Sequence, residues 1–462
     1  MKVRIQVVIE SDNHDTPITD EVACIQRGDL TPETLGLTLA EAKDLLANVQ
    51  ANMVKEQTTE YVEQQRRCPL CGKVRGEKDH HDIVFRSLFG KMKIPSPRLY
   101  TCSCQPQEKK SFSPLAECLP ERIAPELLYL QTKWASLMSY GLTVEHLEEV
   151  LPIQANVATV FRKMHTVAER IESELGDEQH MYVEGCQRDW ESLPIPDGPI
   201  TVGIDGGYVH ARDEINRKAG SFEVIVGKTI TAEGVKKSFG FVNGYDQKPK
   251  RRLFEVLKSQ GLQVNQNITF LSDGGDTVRD LQLYLSPFAE HWLDWFHITM
   301  RITVMRQIAK GLPDDDLLKD IDTDLERVKW YLWHGNVFRA LQVLGDIQMD
   351  LDSVENGNPA LGKLGQHVSE FNTYIANNKA FIPNYGDRYR YGEMISTAFA
   401  ESTVNQVVSK RMVKKQQMRW TQRGAHLLLQ VRTKVLNDEW RDTFCRWYPS
   451  MKPAEENVEC AA

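Results

Sequence analysis

Hydrophobic residues recur every three or four positions in several long stretches of the chain. This period predicts helices over residues 39–63, 121–172, 300–380 and 398–418. Within the second stretch, Pro152 separates a helix over residues 143–151 from one over residues 155–170. A short alternating segment predicts a strand at residues 3–9, which an acidic loop joins to the first long helix.

The central part of the chain alternates between apolar and polar residues with a period of two. This pattern predicts strands over residues 200–209, 221–230 and 235–243, a helix over residues 249–261 and a strand over residues 268–272. Three antiparallel strands, a crossover helix and a parallel strand predict an α/β domain with a mixed sheet of the ribonuclease H type. We assign this domain to residues 198–440.

The composition is that of a globular protein, with 41% hydrophobic and 26% charged residues among 462. No apolar run approaches the ~18 residues that a membrane helix needs, and the first residues, MKVRIQVVIESDNHD, do not form a signal peptide. We therefore expect a cytoplasmic protein without a membrane partner. Nine cysteines in a reducing compartment favour a metal site wherever they cluster.

The net charge of the whole chain is −8, which argues against a nucleic-acid binder. The charged residues are unevenly distributed, however, and this changes the interpretation. Residues 1–63 hold 12 acidic and 5 basic residues, so we assign residues 1–65 to an acidic N-terminal segment. In contrast, residues 66–110 hold 11 basic and 4 acidic residues, and residues 401–434 hold 8 basic residues and one acid, Glu401. These two runs are candidate phosphate-binding faces, and a solvated surface is the alternative.

Two cysteine pairs lie about thirty residues apart. Cys68 and Cys71 are separated by two residues and followed by a glycine, whereas Cys102 and Cys104 are separated by one. This spacing predicts a zinc ribbon over residues 66–113 with a structural Zn²⁺ ion. C-x-C is the less usual half of such a site, so His80 or His81 is an alternative fourth ligand, and unrelated thiols are the alternative to the whole site.

The helices over residues 121–172 fit a helix-turn-helix-like segment that binds DNA. In the second helix, the polar face opposite the apolar one carries Asn156, Thr159, Arg162 and Lys163. A recognition helix places such side chains in the major groove. A plain helical hairpin is the alternative.

Two acids interrupt apolar strands beside glycines. Asp205 lies in the sequence VGIDGG, and Asp273 follows the strand in FLSDGG. A carboxylate in a buried strand is costly unless a cation or a cleft receives it. Two carboxylates at neighbouring strands favour a hard divalent cation, Mg²⁺ or Mn²⁺.

Glu401 is the predicted third acid of this site. It begins a helix whose other charged residues are basic, namely Lys410, Arg411, Lys414 and Lys415. Three acids can hold a metal pair for phosphoryl transfer, while the basic residues hold DNA phosphates. Each acid taken alone could be a surface residue or a helix cap.

Four segments together resemble a known family: VGIDGGYV, FLSDGGDTVRDL, the element DWFH at residues 294–297, and AFAESTVNQVVSKRMVKKQQMRWTQRGAHLLLQVR. They resemble the DDE transposases of bacterial insertion sequences, of the ISKra type related to Mutator-like transposases. The resemblance implies an enzyme that cleaves DNA and transfers strands with Mg²⁺ on Asp205, Asp273 and Glu401. It also implies a helical insertion at about residues 300–380 and accessory roles for Asp294 and His297.

The resemblance further implies double-stranded DNA as the partner, with recognition of terminal inverted repeats and of a target, and a homo-oligomer on the nucleoid. His297 would orient a phosphate or the DNA strand, and a core histidine is the alternative. Two other functions stay open at this point. One is a ribonuclease H-fold nuclease without strand transfer, and the other is a DNA-binding regulator without enzymatic activity.

Overall fold

The computed structural model describes residues 1–10, 17–104, 110–182, 185–196, 198–212, 220–275, 281, 285, 289–312, 315–354, 359–413 and 418–451. The chain is a mixed α/β protein with two compact units. The first contains Met1–Val167 and the residues from Asp438 onward, and the second contains Ala168–Asn437. Among the described helices, none combines the length and the apolar character that a membrane span requires.

The first unit begins with a β-hairpin and a long helix, whose bounds are β1 Lys2–Ile9, β2 Ile18–Gln26 and α1 Leu39–Arg66. The strand β2 corrects the prediction of a loop in this region, because it pairs antiparallel with β1 from end to end. Thr38 and Glu41 form a capping box that starts α1. The predicted helix is thus confirmed and extends three residues further.

A three-stranded antiparallel sheet follows, with bounds β3 Glu77–Ser87, β4 Gly90–Tyr100 and β5 Ser111–Phe112. Its core is shared with α1. Val54 and Val62 of that helix are buried against Ile83, Ile94 and Leu115. The small sheet therefore depends on a helix outside the predicted ribbon for much of its apolar burial.

Four helices complete this part of the chain: α2 Pro114–Cys118, α3 Pro125–Leu137, α4 Tyr140–Val150 and α5 Val157–Glu174. The helical prediction is confirmed, including the break after α4 at Pro152. Val160, Met164 and Val167 are buried at the spacing of one helical face.

The second unit contains a five-stranded sheet. Its elements after the short helix α6 Gln187–Glu191 are β6 Ile200–His210, β7 Ser221–Ile230, β8 Lys236–Val242, α7 Pro249–Lys258, β9 Ile268–Ser272 and β10 Ala289–Leu293. The spatial order is β10-β9-β6-β7-β8. The strands β6, β7 and β8 pair antiparallel to one another. On the other side of β6, β9 pairs parallel to β6, and β10 pairs parallel to β9. The predicted mixed sheet is confirmed, and β10 is an additional strand that the sequence pattern did not indicate.

Helices cover the region after β10, as predicted. Their bounds are α8 Trp295–Ala309, α9 Asp315–Trp333, α10 Val337–Ser353, α11 Pro359–Asn377 and α12 Tyr385–Arg390. Ile302, Leu325, Leu344 and Phe371 belong to one buried cluster that these helices share. This region, which we call the helical subdomain, therefore has its own core.

The last helices of the chain belong partly to the second unit and partly to the first. Helix α13 Ala398–Val404 continues as a π-helix over Asn405–Val413, and α14 Gln422–Leu436 follows. The last helix, α15 Trp440–Trp447, belongs to the first unit. There Phe444 packs edge-on against Tyr129 of α3, and the guanidinium of Arg441 forms an ion pair with Glu126 at 2.7 Å.

Candidate metal centres and catalytic site

Four cysteines meet beside the three-stranded sheet. Cys68 and Cys71 precede β3, and Cys102 and Cys104 follow β4. Their ligand atoms all lie within 4.8 Å of one another, and Cys104 lies 3.4 Å from Cys71 between sulfur atoms. An ion bound tetrahedrally to sulfur at ~2.3 Å separates its ligands by about 3.8 Å. The predicted cluster is confirmed as a group that could hold a metal ion.

The alternative ligands His80 and His81 lie apart from this group. Both are exposed on β3, where they pair with Pro97 and Ser96 of β4. The fourth position is occupied by a cysteine instead. The cluster among the described residues is therefore a four-thiol set.

The thiols of this cluster differ in how readily they ionise. Burial opposes ionisation of Cys68, but backbone N–H groups of Cys71 and Leu70 and neighbouring thiols lower its pKa to about 6. The surrounding thiols of Cys71, Cys102 and Cys68 raise the pKa of Cys104 to about 12. Crowded thiolates of this kind repel one another, and a divalent cation relieves the repulsion.

Asp205 and Asp273 come from adjacent parallel strands. Asp205 lies within β6, and Asp273 directly follows β9. Gly203 pairs with Leu271 in the register of these strands. Extending that register by two residues aligns Asp205 with Asp273, and neighbouring strands lie about 4.8 Å apart. The topology therefore brings the two predicted acids to one place on the sheet.

Helix α13 covers the face of β6 to which Asp205 belongs. Gly203, Asp205 and Gly207 share that face because side chains alternate along a strand. A Cβ atom added at Gly203 would lie 2.6 Å from the ring of Phe399, and one at Gly207 would lie 3.0 Å from Val404. The two glycines thus allow the helix to approach the strand closely.

Glu401 lies in α13, within the segment that makes these close contacts. The structure describes the backbone of Glu401, and its side chain lies outside the described part. The helix that contains Glu401 therefore lies over the face of β6 to which Asp205 belongs, and the role of Glu401 as a ligand stays a prediction.

We expect Gly203→Ala to lower the free energy of unfolding of the second unit by about 1–3 kcal/mol. The added Cβ collides with Phe399, and α13 must shift away from β6. Equilibrium unfolding in urea measures the change. In the matched control Gly345→Ala, an added Cβ inside α10 meets nothing within 4 Å. That variant should gain roughly 0.5–1 kcal/mol. Equal stability of Gly203→Ala and wild type would contradict the close packing of α13.

His297 lies beside the two aspartates and is held by a third. Its Nδ1 is 2.7 Å from Oδ2 of Asp294, which is fully buried. Burial alone lowers the pKa of His297, but this hydrogen bond and the charges of Asp294, Asp205 and Asp273 raise it above its usual value. The electrostatic effect of Asp205 and Asp273 on one imidazole supports their common location. His297 is only partly buried, which disfavours the alternative of a core histidine.

The backbone at Asp273 is held by a residue of the helical subdomain. The hydroxyl of Tyr374 in α11 donates to the backbone carbonyl of Asp273 at 3.0 Å. The exposed Arg301 stacks on the Tyr374 ring, with its guanidinium carbon 4.2 Å from the ring centroid. Arg301 follows His297 by four residues, so both side chains lie on one side of α8. This side of α8 places a cation near the acids.

The basic stretch after Glu401 divides into exposed and buried positions. Lys410 is exposed, as expected for a phosphate contact. Arg411 is fully buried, with its guanidinium carbon 5.2 Å from the centroid of the Trp420 ring. The prediction that Arg411 contacts DNA is therefore wrong for this structure. Arg411 follows the buried Val407 by four residues and precedes the buried Met412, so it lies on the buried face of this segment. Lys414 and Lys415 lie outside the described residues.

The candidate DNA-contacting residues of α5 lie near its start. Asn156 caps the helix, since its Oδ1 accepts from the N–H of Ala158 at 2.9 Å. Arg162 is exposed, and Thr159 and Lys163 are half-buried. A short polar surface is therefore present at the start of α5, and its role in DNA recognition stays a prediction.

A second group with the spacing of metal ligands lies elsewhere in the second unit. It consists of Glu172, Asp246 and His426. The buried guanidinium of Arg252 lies among them, with ion pairs of 3.0 Å to Glu172 and 2.9 Å to Asp246. Burial opposes it, but hydrogen bonds and charges from His426 and Arg252 lower the pKa of Glu172 to about 2. An arginine thus already supplies the cation at this place.

Comparison of the chain with known protein families and with curated proteins found no match. The residues around the acids therefore have to be interpreted from their geometry. Sequence reasoning missed Tyr374 and Arg301, because no local pattern connects them to Asp273. It also missed Thr397, whose only signal is its position four residues before Glu401.

Proposed function

We propose that this protein is a DDE-type transposase that cleaves the ends of its own insertion sequence and joins them to target DNA. In this proposal, the second unit is a ribonuclease H-like domain, and the helical subdomain is an insertion between its second and third acids. The observation that supports the proposal is the order and register of the strands in the five-stranded sheet. Its strand order β10-β9-β6-β7-β8 and its register bring Asp205 and Asp273 together under the helix that contains Glu401.

The chemistry of the donors suits Mg²⁺ or Mn²⁺. Asp205 and Asp273 offer carboxylate oxygens, and their charges already raise the pKa of the neighbouring His297. Bound metal ions would activate the attacking oxygen and stabilise the leaving oxygen of a phosphodiester. His297 and Arg301 would contact the phosphate from the side of α8.

The four-thiol cluster suits Zn²⁺ in a structural role. Four sulfur ligands leave no open position for a substrate. We propose that this ribbon and the helices α4 and α5 bind the terminal repeats through Asn156, Thr159, Arg162 and Lys163. Lys410, together with Lys414 and Lys415, would hold phosphates of the same DNA, and the active assembly on DNA would be a homo-oligomer.

The experiment uses purified full-length protein and duplexes that carry the DNA flanking its gene. Strand cleavage is measured with Mg²⁺ and with EDTA, and joining is measured with pre-cut ends and a supercoiled plasmid. We expect Mg²⁺-dependent cleavage at the boundary of the element and joining through the free 3′-hydroxyl. Cleavage without joining would favour a nuclease, and sequence-specific binding without cleavage would favour a regulator. Either result contradicts the proposal.

A further inference from the structure

The chain enters the helical subdomain and leaves it at neighbouring places beside the sheet. It begins after Asp294, whose N–H donates to the carbonyl of Ser272 at 2.8 Å. It ends before α13, where the N–H of Trp295 donates to the carbonyl of Ile395 at 3.1 Å. The beginning and the end of this region, about one hundred residues apart, are therefore hydrogen-bonded to each other.

Asp294 forms hydrogen bonds at both of these places. Its carboxylate caps α8 by accepting from the N–H of Phe296 at 2.9 Å. It also accepts from Nδ1 of His297 and from both the N–H and the hydroxyl of Thr397, with the N–H of Thr397 at 2.9 Å. Asp294 and Thr397 are both fully buried. A buried carboxylate requires such donors, but a helix cap alone requires only the first of them.

Asp294 therefore contacts the backbone next to each of two predicted acids. Ser272 precedes Asp273 by one residue, and Thr397 precedes Glu401 by four, about one turn of helix. The hydrogen bonds from Thr397 therefore hold the chain directly before the first turn of α13.

We propose that Asp294 and Thr397 are positioning residues for the metal site: their hydrogen bonds hold α13, and with it Glu401, at a fixed place relative to Asp273. This inference rests on the proposed function and adds a role for Thr397. Groups that orient metal ligands from behind typically change metal affinity 10–100-fold when they are lost. The hydroxyl of Thr397 can be removed without touching either acid or the cap of α8.

Thr397→Val removes the hydroxyl and keeps the shape, whereas Thr397→Ser keeps the hydroxyl. Mn²⁺ serves as the probe in a calorimetric titration of the full-length protein, and Asp205→Asn identifies the binding that belongs to the acids. We expect Thr397→Val to weaken this binding about 10–100-fold. The same variant should shift the Mg²⁺ dependence of cleavage to higher concentration. Thr397→Ser should restore both. The matched control is Thr433→Val, because the hydroxyl of Thr433 is buried and bonds only within α14.

Each outcome of this experiment supports or overturns the positioning role of Thr397. Unchanged Mn²⁺ affinity of Thr397→Val beside normal wild-type binding overturns this inference and leaves the proposed function standing. A wild type without Mn²⁺ binding at the acids overturns both. If Thr397→Val does not fold, Thr397→Ala is measured instead, since it removes the hydroxyl without adding a buried methyl group. Unfolding of both variants would show that the bond supports the whole domain, which also overturns a specific positioning role.

Discussion

Asp205→Asn and Asp273→Asn are each expected to slow DNA cleavage and joining by at least about 10³-fold, because each removes a charge that the metal needs. Asparagine preserves the shape of the side chain, so the binding of element ends and the thermal unfolding temperature should stay close to the wild-type values. The measurement is the single-turnover rate of cleavage in Mg²⁺.

The control for this experiment is Asp350→Asn, which neutralises an exposed acid on α10 and should cleave at the wild-type rate. It separates the effect of one lost charge in general from the effect at the sheet. If either active-site variant cleaved as fast as the control, that aspartate would not belong to the site.

Removal of the four-thiol cluster is expected to have the second large effect, on folding. We expect freshly purified protein to contain one Zn²⁺ per chain and Cys68→Ser or Cys71→Ser to lose it. Structural zinc contributes ~10–16 kcal/mol of binding free energy in small peptides, and this energy is coupled to folding. Residues 66–113 should therefore become sensitive to protease in both variants.

Metal content by mass spectrometry and limited proteolysis measure these effects. Cys24→Ser is the matched control, because Cys24 is an exposed cysteine on β2 outside the cluster. Wild-type protein without zinc would contradict the prediction. Retention of zinc by Cys68→Ser would instead assign a different fourth ligand.

Local patterns predicted much of the fold. The strands β6 to β9 and the long helices followed from the period and spacing of their apolar residues, most of which are buried in the strands. The strand β2 was missed since the adjacent acids Asp20 and Glu21 continue the acidic run before it, which is typical of a loop. The strand β10 was missed because it has only five residues, Ala289–Leu293, and two of them, Glu290 and His291, are polar.

The candidate site was predictable only in part. Asp205 and Asp273 are visible in the sequence because an acid beside glycines is unusual in an apolar strand. The hydrogen-bonding partners around the site cannot be found in the sequence, because they are far apart in the chain. Thr397 is 103 residues from Asp294, and Tyr374 is 101 residues from Asp273. Arg411 shows the converse error. Its side chain was assigned to a surface because it is charged, but it lies on the same helical face as the buried Val407 and Met412.

The return of α15 to the first unit has a consequence for synthesis on the ribosome. Trp440 and Phe444 are buried in that unit and meet residues of α3 that are translated about three hundred positions earlier. At about 5–20 residues per second, this part of the first unit waits tens of seconds for its last helix. During that interval the surface of α3 around Tyr129 is uncovered in the nascent chain. A protein of this architecture should therefore reach its complete first unit only after translation of the second.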